Sequence, residues 1–154
     1  MAGIDQSDAA TDQRVAVLLQ FRETLKAQRD KFSRYLKLLD RQEKAIRTGD
    51  VDAIVRQAEL ETALLHEIEA VQKVLTPLEA VYVRCYPQDE DQIPPLRRAV
   101  LDLRTAVLHH NRRNRELLRG TLDLVRTEIE ALRVPGGPRS PYSSHGPSLI
   151  DIST

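Results

Sequence analysis

The sequence predicts an all-α protein, an antiparallel helical bundle or coiled coil of three long helices with a disordered C-terminal tail. Charged residues make up 30% of the 154 residues and apolar residues 41%, with no Trp and only two Phe. This balance is typical of long, surface-rich helices rather than of a sandwich or barrel core. Apolar side chains also recur at helical spacing in three long segments, and no segment alternates as a strand would.

The first helix is predicted over about 14–48 by a strict heptad. The residues that recur every seven positions are Leu18, Leu25, Phe32, Leu39 and Ile46. Leu36 occupies a second apolar position of the heptad. Such spacing is typical of a coiled-coil seam. The polar, acidic residues 1–13 are expected to be disordered, so that the helix begins near Gln13.

A turn at Gly49-Asp50 is predicted to reverse the chain. Glycine suits the left-handed residue after a helix, aspartate suits the next N-cap, and so short a loop requires an antiparallel partner. The second helix is predicted over 51–86. Pro77 lies in a capping-box pattern, so the helix either restarts there or, as we prefer, kinks and continues. The apolar stripe of this helix is Ile54, Ala58, Leu65, Ile68, Val71 and Leu75.

The third helix is predicted over 95–133, after an acidic linker. Its stripe comprises Leu96, Val100, Leu103, Val107, Asn111, Asn114, Leu118, Val125, Ile129 and Leu132. Gly120 interrupts it at a cost of about 1 kcal/mol relative to alanine. Residues 134–154 are rich in Pro, Gly and Ser, which predicts the disordered tail.

The charges are balanced overall but unevenly spread. Residues 14–47 carry a net charge of +6, residues 50–86 of −4 and residues 95–126 of +5, which favours packing of an acidic helix between two basic ones. Net neutrality gives no reason to expect nucleic-acid binding or an anionic membrane, and no apolar run is long enough for membrane insertion. The basic run 112–119 lacks interleaved aromatic residues, so nucleic-acid binding is the weakest alternative.

No constellation of residues predicts an enzyme. The four histidines show no Glu-x-x-His pair, and there is no glycine-rich phosphate loop, so no metal or other cofactor is expected. Cys85 is the only cysteine, and the first thirteen residues are acidic with no basic residue. Both features favour a cytoplasmic protein without a signal peptide.

Two asparagines fall on the apolar stripe of the third helix. A polar pair on such a seam is costly unless it finds hydrogen-bond partners. Asn111 and Asn114 therefore either bond across the bundle and fix its register, or mark the start of a groove that binds another protein. In the tail, Tyr142 and the cluster Leu149–Ile152 form a candidate linear motif, or a terminus that folds back loosely.

These features together resemble the FlgN family of flagellar export chaperones. The residues that carry the resemblance are Thr48-Gly49-Asp50, Asn111, Asn114, Leu117, Leu118, Tyr142, Gly146 and Leu149-Ile150-Asp151. The resemblance implies a cytoplasmic chaperone that binds the C-terminal segments of hook-associated proteins, prevents their premature assembly and delivers them to the type III export gate. Pro77 and the acidic linker depart from the family pattern and leave the helix boundaries open.

The resemblance also implies where the partners bind. The client-binding residues would be Asn111, Asn114, Leu117, Leu118, Leu122, Val125, Ile129 and Leu132. Tyr142 would contact the export gate. A homodimer is a further possibility. The main alternative is a self-associating structural coiled coil without a client, which the strict heptad of the first helix favours.

Overall fold

The computed structural model describes residues 3–85 and 91–133, and within these ranges the chain is helical without a strand. Its helices are α1 (Gly3–Thr48), α2 (Val51–Cys85) and α3 (Ile93–Leu132). The predicted all-α class is confirmed. Both α2 and α3 lie within two residues of their predicted bounds. The predicted tail, with Tyr142, lies outside the described residues.

The start of α1 differs from the prediction. The helix begins at Gly3, ten residues before Gln13. No glycine or proline occurs between Gly3 and Gly49, so nothing in the chain stops the helix from extending toward its N-terminus. Residues 6–16 are exposed, and their polarity, which suggested disorder, is that of a solvated helix.

The predicted turn between α1 and α2 is present. Gly49 has a left-handed φ of 68°, and the amides of Gly49 and Asp50 donate to the carbonyls of Ile46 and Ala45 at 3.2 and 3.0 Å. These two bonds form a Schellman motif. Asp50 then caps α2 by accepting the Ala53 amide at 3.0 Å. The two-residue connection sets α1 and α2 antiparallel.

Proline does not end the second helix. α2 runs continuously through Pro77, so the predicted alternative of a restart there is wrong. The Thr76 hydroxyl donates to the Gln72 carbonyl at 2.9 Å one residue before the proline. This side-chain bond supports the backbone next to the position where Pro77 lacks an amide hydrogen.

The core lies between α1, α2 and the N-terminal two thirds of α3. It forms two clusters, one around Phe32, Leu39, Leu64 and Val107 and one around Phe21, Leu25, Leu75 and Ile93. The α1 seam is buried or half-buried as its heptad predicts. The α2 stripe needs a correction, because Leu64 is buried whereas the predicted Leu65 and Ala58 are exposed.

Cross-helix bonds give the direction of α3. Arg22 bonds to Gln92, and farther along both helices Leu39 accepts from Asn114, so α3 runs parallel to α1. Ion pairs join acidic α2 to both neighbours, with Lys31–Glu67 at 2.8 Å and Arg97–Glu79 at 2.6 Å. The bundle is therefore up-down-up, with the charge distribution that the sequence predicted.

The chain divides into two compact units, Met1–Arg119 and Gly120–Thr154. The first unit contains the bundle core. The described part of the second unit is the last stretch of α3, up to Leu132, followed by Arg133.

Candidate functional site

A layer of polar side chains crosses the bundle in the first unit. We call it the polar layer, and it consists of Tyr35 and Gln42 of α1, Glu61 of α2, and Asn111 and Asn114 of α3. Asn114 is only 2% exposed. Its amide donates to the Leu39 carbonyl at 2.9 Å and to Gln42 Oε1 at 3.1 Å. This asparagine therefore binds α3 to α1.

Glu61 is the acceptor that joins the rest of the layer. Its Oε1 accepts from the Tyr35 hydroxyl at 2.6 Å and from the Asn111 amide at 2.7 Å, and its Oε2 accepts from Gln42 at 3.2 Å. Asn111 also donates to Tyr35 Oη at 3.1 Å. One carboxylate of α2 thus accepts hydrogen bonds from both other helices. Hydrogen bonds to a carboxylate are stronger than hydrogen bonds between neutral groups.

Tyr35 is held in its protonated form within this layer. Burial raises the pKa of its hydroxyl, and the adjacent Glu61 carboxylate raises it further. The hydroxyl consequently remains a donor to Glu61 throughout the physiological pH range.

Among the buried side-chain atoms of the layer, one oxygen has no partner within the described residues. Asn114 Oδ1 is buried and has no hydrogen-bond donor among the described residues. It lies in the layer beside a small pocket of about 90 Å³ that Ile46, Ile54 and Leu118 help to line. An unpaired buried oxygen costs about 1–3 kcal/mol, so stability alone does not account for the choice of asparagine here.

A cluster of charges lies next to the polar layer. Glu43 of α1 contacts His110 Nε2 at 3.0 Å, Arg113 at 3.1 Å and, within its own helix, Arg47 at 2.9 Å. The Arg47 hydrogen bond, followed by that of His110, lowers the pKa of the Glu43 carboxyl. The cluster is a second attachment of α3 to α1.

The second unit presents apolar side chains to solvent. The C-terminal apolar face, as we call it, consists of Leu122, Val125, Ile129 and Leu132, which fall at the three- and four-residue spacing of a single helix face. All four are exposed, Ile129 by 54% and Leu132 by 80%. Apolar faces of this kind commonly mark sites of protein–protein interaction.

The eight residues predicted to bind a client divide into three groups. Asn111 and Asn114 bond across the bundle, Leu117 and Leu118 are half-buried, and the four residues of the C-terminal apolar face are exposed. The first four belong to the first unit and the others to the second. Of the two interpretations offered for the asparagines, hydrogen bonding across the bundle is the one that matches their contacts.

Sequence reasoning missed the partners of the two asparagines. A signal for them was present, because Ile54, Glu61, Ile68, Leu75 and Tyr82 repeat every seven residues, and so do Phe21, Gln28, Tyr35 and Gln42. Polar residues at such positions belong to the seam rather than to the surface.

The described residues contain neither a metal-binding cluster nor a membrane-spanning helix. Across 3–85 and 91–133, no three His, Cys, Asp or Glu side chains are grouped closely enough to hold a metal ion. None of the three helices, over the part of the chain that is described, has the length and apolar composition needed to cross a bilayer.

Comparison with known proteins adds the remaining observations. The family described as FlgN protein matches residues 18–148. An uncharacterized protein of Treponema pallidum (strain Nichols) is 34% identical over 139 residues, which is 89% of this chain and 88% of that protein. No solved structure matches the chain.

Proposed function

The chain belongs to the FlgN protein family, whose members are flagellar export chaperones rather than enzymes, and from this we propose a specific role for it. It binds the C-terminal segments of hook-associated proteins in the cytoplasm, prevents their premature assembly and delivers them to the type III export gate. The C-terminal apolar face is the observation that best supports a client site.

An amphipathic client helix would fit this face. Four apolar side chains at helical spacing are accessible between Leu122 and Leu132, and none requires the bundle core to open. A helix that lays its apolar side against them would bury its own anchors at matching spacing. A client segment that is disordered before binding loses conformational entropy when it folds, which favours reversible binding and release for export.

The two asparagines support the client site indirectly in this proposal. Their amide groups are already bonded to Glu61, Leu39 and Gln42, so they hold α3 in place instead of contacting the client. Leu117 and Leu118 are half-buried residues of the first unit, and we propose that they contact the client there.

Aspartate substitutions test the client site. In Leu122→Asp or Ile129→Asp, a charge replaces an exposed apolar anchor, so we expect at least a tenfold loss of affinity for a hook-associated C-terminal segment with helicity retained. Isothermal titration with that segment measures the affinity, and circular dichroism measures the helicity. The matched control is Thr127→Asp, which adds the same charge on the opposite side of α3 and should bind normally. Unchanged affinity in both apolar variants would place the client elsewhere.

The tail tyrosine is tested separately. By resemblance to related chaperones, Tyr142→Ala should retain client affinity and impair export, because its contact is with the export gate. Secretion of hook-associated proteins and swimming motility are the readouts, with Tyr142→Phe as the control that keeps the ring. Normal motility of the alanine variant would remove Tyr142 from the mechanism.

A structural coiled coil without a client is the second candidate, favoured by the strict heptad of α1. The mass in solution with and without a hook-associated segment distinguishes the two functions. A chaperone forms a complex of defined stoichiometry with the segment, whereas a scaffold keeps the same mass.

A further inference from the structure

A cleft opens between α2 and α3 in the first unit, and we call it the α2–α3 cleft. It has a volume of about 340 Å³, and Leu25 and Phe32 of α1 form its floor. Leu75 of α2 and Val100 of α3 form its walls. The cleft lies where the two core clusters meet, because Val100 packs against both of them. Its volume is comparable with that of pockets that bind ligands.

The mouth of the cleft is basic. Among the described residues, three arginines of α3 and one carboxylate of α2 line it, namely Arg97, Arg98, Arg104 and Glu79. Three positive charges and one negative charge leave this opening with a net charge of +2. An apolar interior behind a cationic mouth favours a ligand that is both apolar and anionic.

The three arginines differ in their availability to a ligand. Arg97 is engaged, because its guanidinium bonds to the Glu79 carboxylate at 2.6 Å. Arg98 pairs with Asp102 of its own helix at 3.2 Å, and an exposed pair of this kind contributes little to stability. No carboxylate of the described residues lies within 4.0 Å of Arg104. Arg98 and Arg104 are therefore the side chains that can receive an anionic group.

Exposed leucines continue the apolar surface from the cleft along the groove between α2 and α3. Leu101 and Leu108 of α3 are 53% and 61% exposed, and Leu65 of α2 is 40% exposed. The Asn111–Glu61 bond fixes the antiparallel alignment of the two helices. Leu65 follows Glu61 by four residues and Leu108 precedes Asn111 by three, so the two leucines lie nearly level. At about 100° per residue, each is turned by roughly 40–60° from the bond toward solvent, on its own edge of the groove.

The spacing of these two apolar sites suits a helical ligand. From Val100 in the cleft to Leu108 on the edge of the groove, α3 rises about 12 Å. Side chains seven or eight residues apart on one face of a helix are likewise separated by about 10–12 Å. A helix that lies in the groove would place one apolar anchor in the cleft and another against Leu65 and Leu108. A small molecule would fill the cleft and leave the two leucines uncovered.

We propose that the groove between α2 and α3 binds an acidic amphipathic helix of another protein. The apolar stripe of this helix covers the cleft and the exposed leucines, and carboxylates on one edge of the stripe pair with Arg98 and Arg104. The α2 edge of the groove carries Gln72 and Thr76, which bond to each other at 3.2 Å, and the exposed carboxylate of Glu69. The other edge of the bound helix is therefore neutral or basic.

This groove is a second binding site, separate from the client site proposed above. Its residues belong to the first unit, and none of the eight residues predicted to bind a client is among them. The two sites can therefore be tested separately. Ile129→Asp, which should weaken client binding, should leave the affinity of the groove for its ligand unchanged.

Synthetic helical peptides of opposite charge test the groove. Each peptide is based on alanine and has leucines on one face, the second four residues and the third seven residues after the first. The acidic peptide has glutamates along one edge of this face, and the basic peptide has lysines at the same positions. Because a peptide can dock in either direction, the charged edge can always lie next to α3. Fluorescence anisotropy of the labelled peptides with the full chain should show at least tenfold tighter binding of the acidic peptide.

Variants of the chain identify the site. Arg98→Glu combined with Arg104→Glu should reverse the preference, so that the basic peptide binds at least tenfold more tightly than the acidic one. Leu108→Asp places a charge beneath the apolar stripe of the peptide and should weaken binding of the acidic peptide at least tenfold. The matched control is Arg41→Glu, at an exposed arginine that lines a different cleft, between α1 and α2, and it should bind the acidic peptide normally. Circular dichroism establishes that each variant is folded.

The contrary outcomes are equally specific. No binding of the acidic peptide by the wild-type chain, or equal affinity for the two peptides, would overturn the proposal. A preference that survives the double arginine substitution, or an affinity that survives Leu108→Asp, would place the ligand elsewhere. If the acidic peptide instead releases a second copy of the chain, seen as a fall in the sedimentation coefficient, the groove is a surface for self-association and not a site for another protein.

Discussion

Asn114 places an amide at a core position that Ile93, Val100 and Val107 fill with apolar side chains in the preceding heptads of α3. Its Nδ2 is satisfied by Leu39 and Gln42, but its Oδ1 is not satisfied within the described residues. Asn111 differs, because it supplies a hydrogen bond to a carboxylate. The two asparagines should consequently contribute oppositely to stability.

Leucine substitutions separate their roles. Asn111→Leu removes a donor from the Glu61 carboxylate and should lower the free energy of unfolding by about 1–3 kcal/mol. Asn114→Leu replaces a partly unsatisfied amide with an apolar group next to a small pocket, and should raise that free energy by up to about 1 kcal/mol. Urea unfolding followed by circular dichroism measures both. A loss of stability in Asn114→Leu as large as in Asn111→Leu would contradict this account.

At the scale of the helices, sequence periodicity predicted the number and order of the elements because each long helix has a repeating apolar seam. It misplaced the α2 stripe because Leu64 and Leu65 are adjacent and equally apolar, and only the position of α1 decides which of them is buried. Periodicity identified the α3 members of the polar layer but not those of α1 and α2. Asn111 and Asn114 stood out among apolar neighbours, whereas Glu61, Tyr35 and Gln42 were missed because their polarity hid the heptads to which they belong.

Substitutions at Gly49 and Gly120 should have opposite effects on stability. Gly49 has φ of 68°, so Gly49→Ala should destabilise the protein by about 1–2 kcal/mol through backbone strain alone. Gly120 lies inside α3, and a methyl group there meets no atom within 4 Å. Gly120→Ala should therefore stabilise α3 by about 1 kcal/mol. Thermal unfolding of both variants checks the signs, and a loss of stability in Gly120→Ala would show that α3 needs a break there.

At the scale of the molecule, ion pairs between helices connect stability to pH. Hydrogen bonds from Lys31 lower the pKa of Glu67, and those from Arg47 and His110 lower the pKa of Glu43, from the ordinary value of 4.5. A carboxyl whose pKa is lower in the folded state stabilises that state above its unfolded pKa. This contribution is lost as the pH falls through the folded pKa.

Acidification should therefore destabilise the bundle. We expect the melting temperature to fall between about pH 5 and pH 3, and to fall less steeply in Glu43→Gln, which has lost one titrating partner. Scanning calorimetry at several pH values measures the slope. Glu116→Gln, at an exposed glutamate without an ion pair to the described residues, is the matched control. An unchanged slope in Glu43→Gln would mean that the Glu43 cluster does not contribute.

Helical seams that repeat every seven residues are nearly degenerate. If α3 moved by seven residues along α1, apolar side chains would meet apolar side chains again, and Asn114 would lie beside Phe32 and Tyr35 instead of Leu39 and Gln42. Glu61 would lose the amide of Asn111 in the same movement. The hydrophobic surfaces accept many alignments of these helices, but only one of them gives the amide groups of Asn111 and Asn114 their hydrogen bonds to Glu61, Leu39 and Gln42.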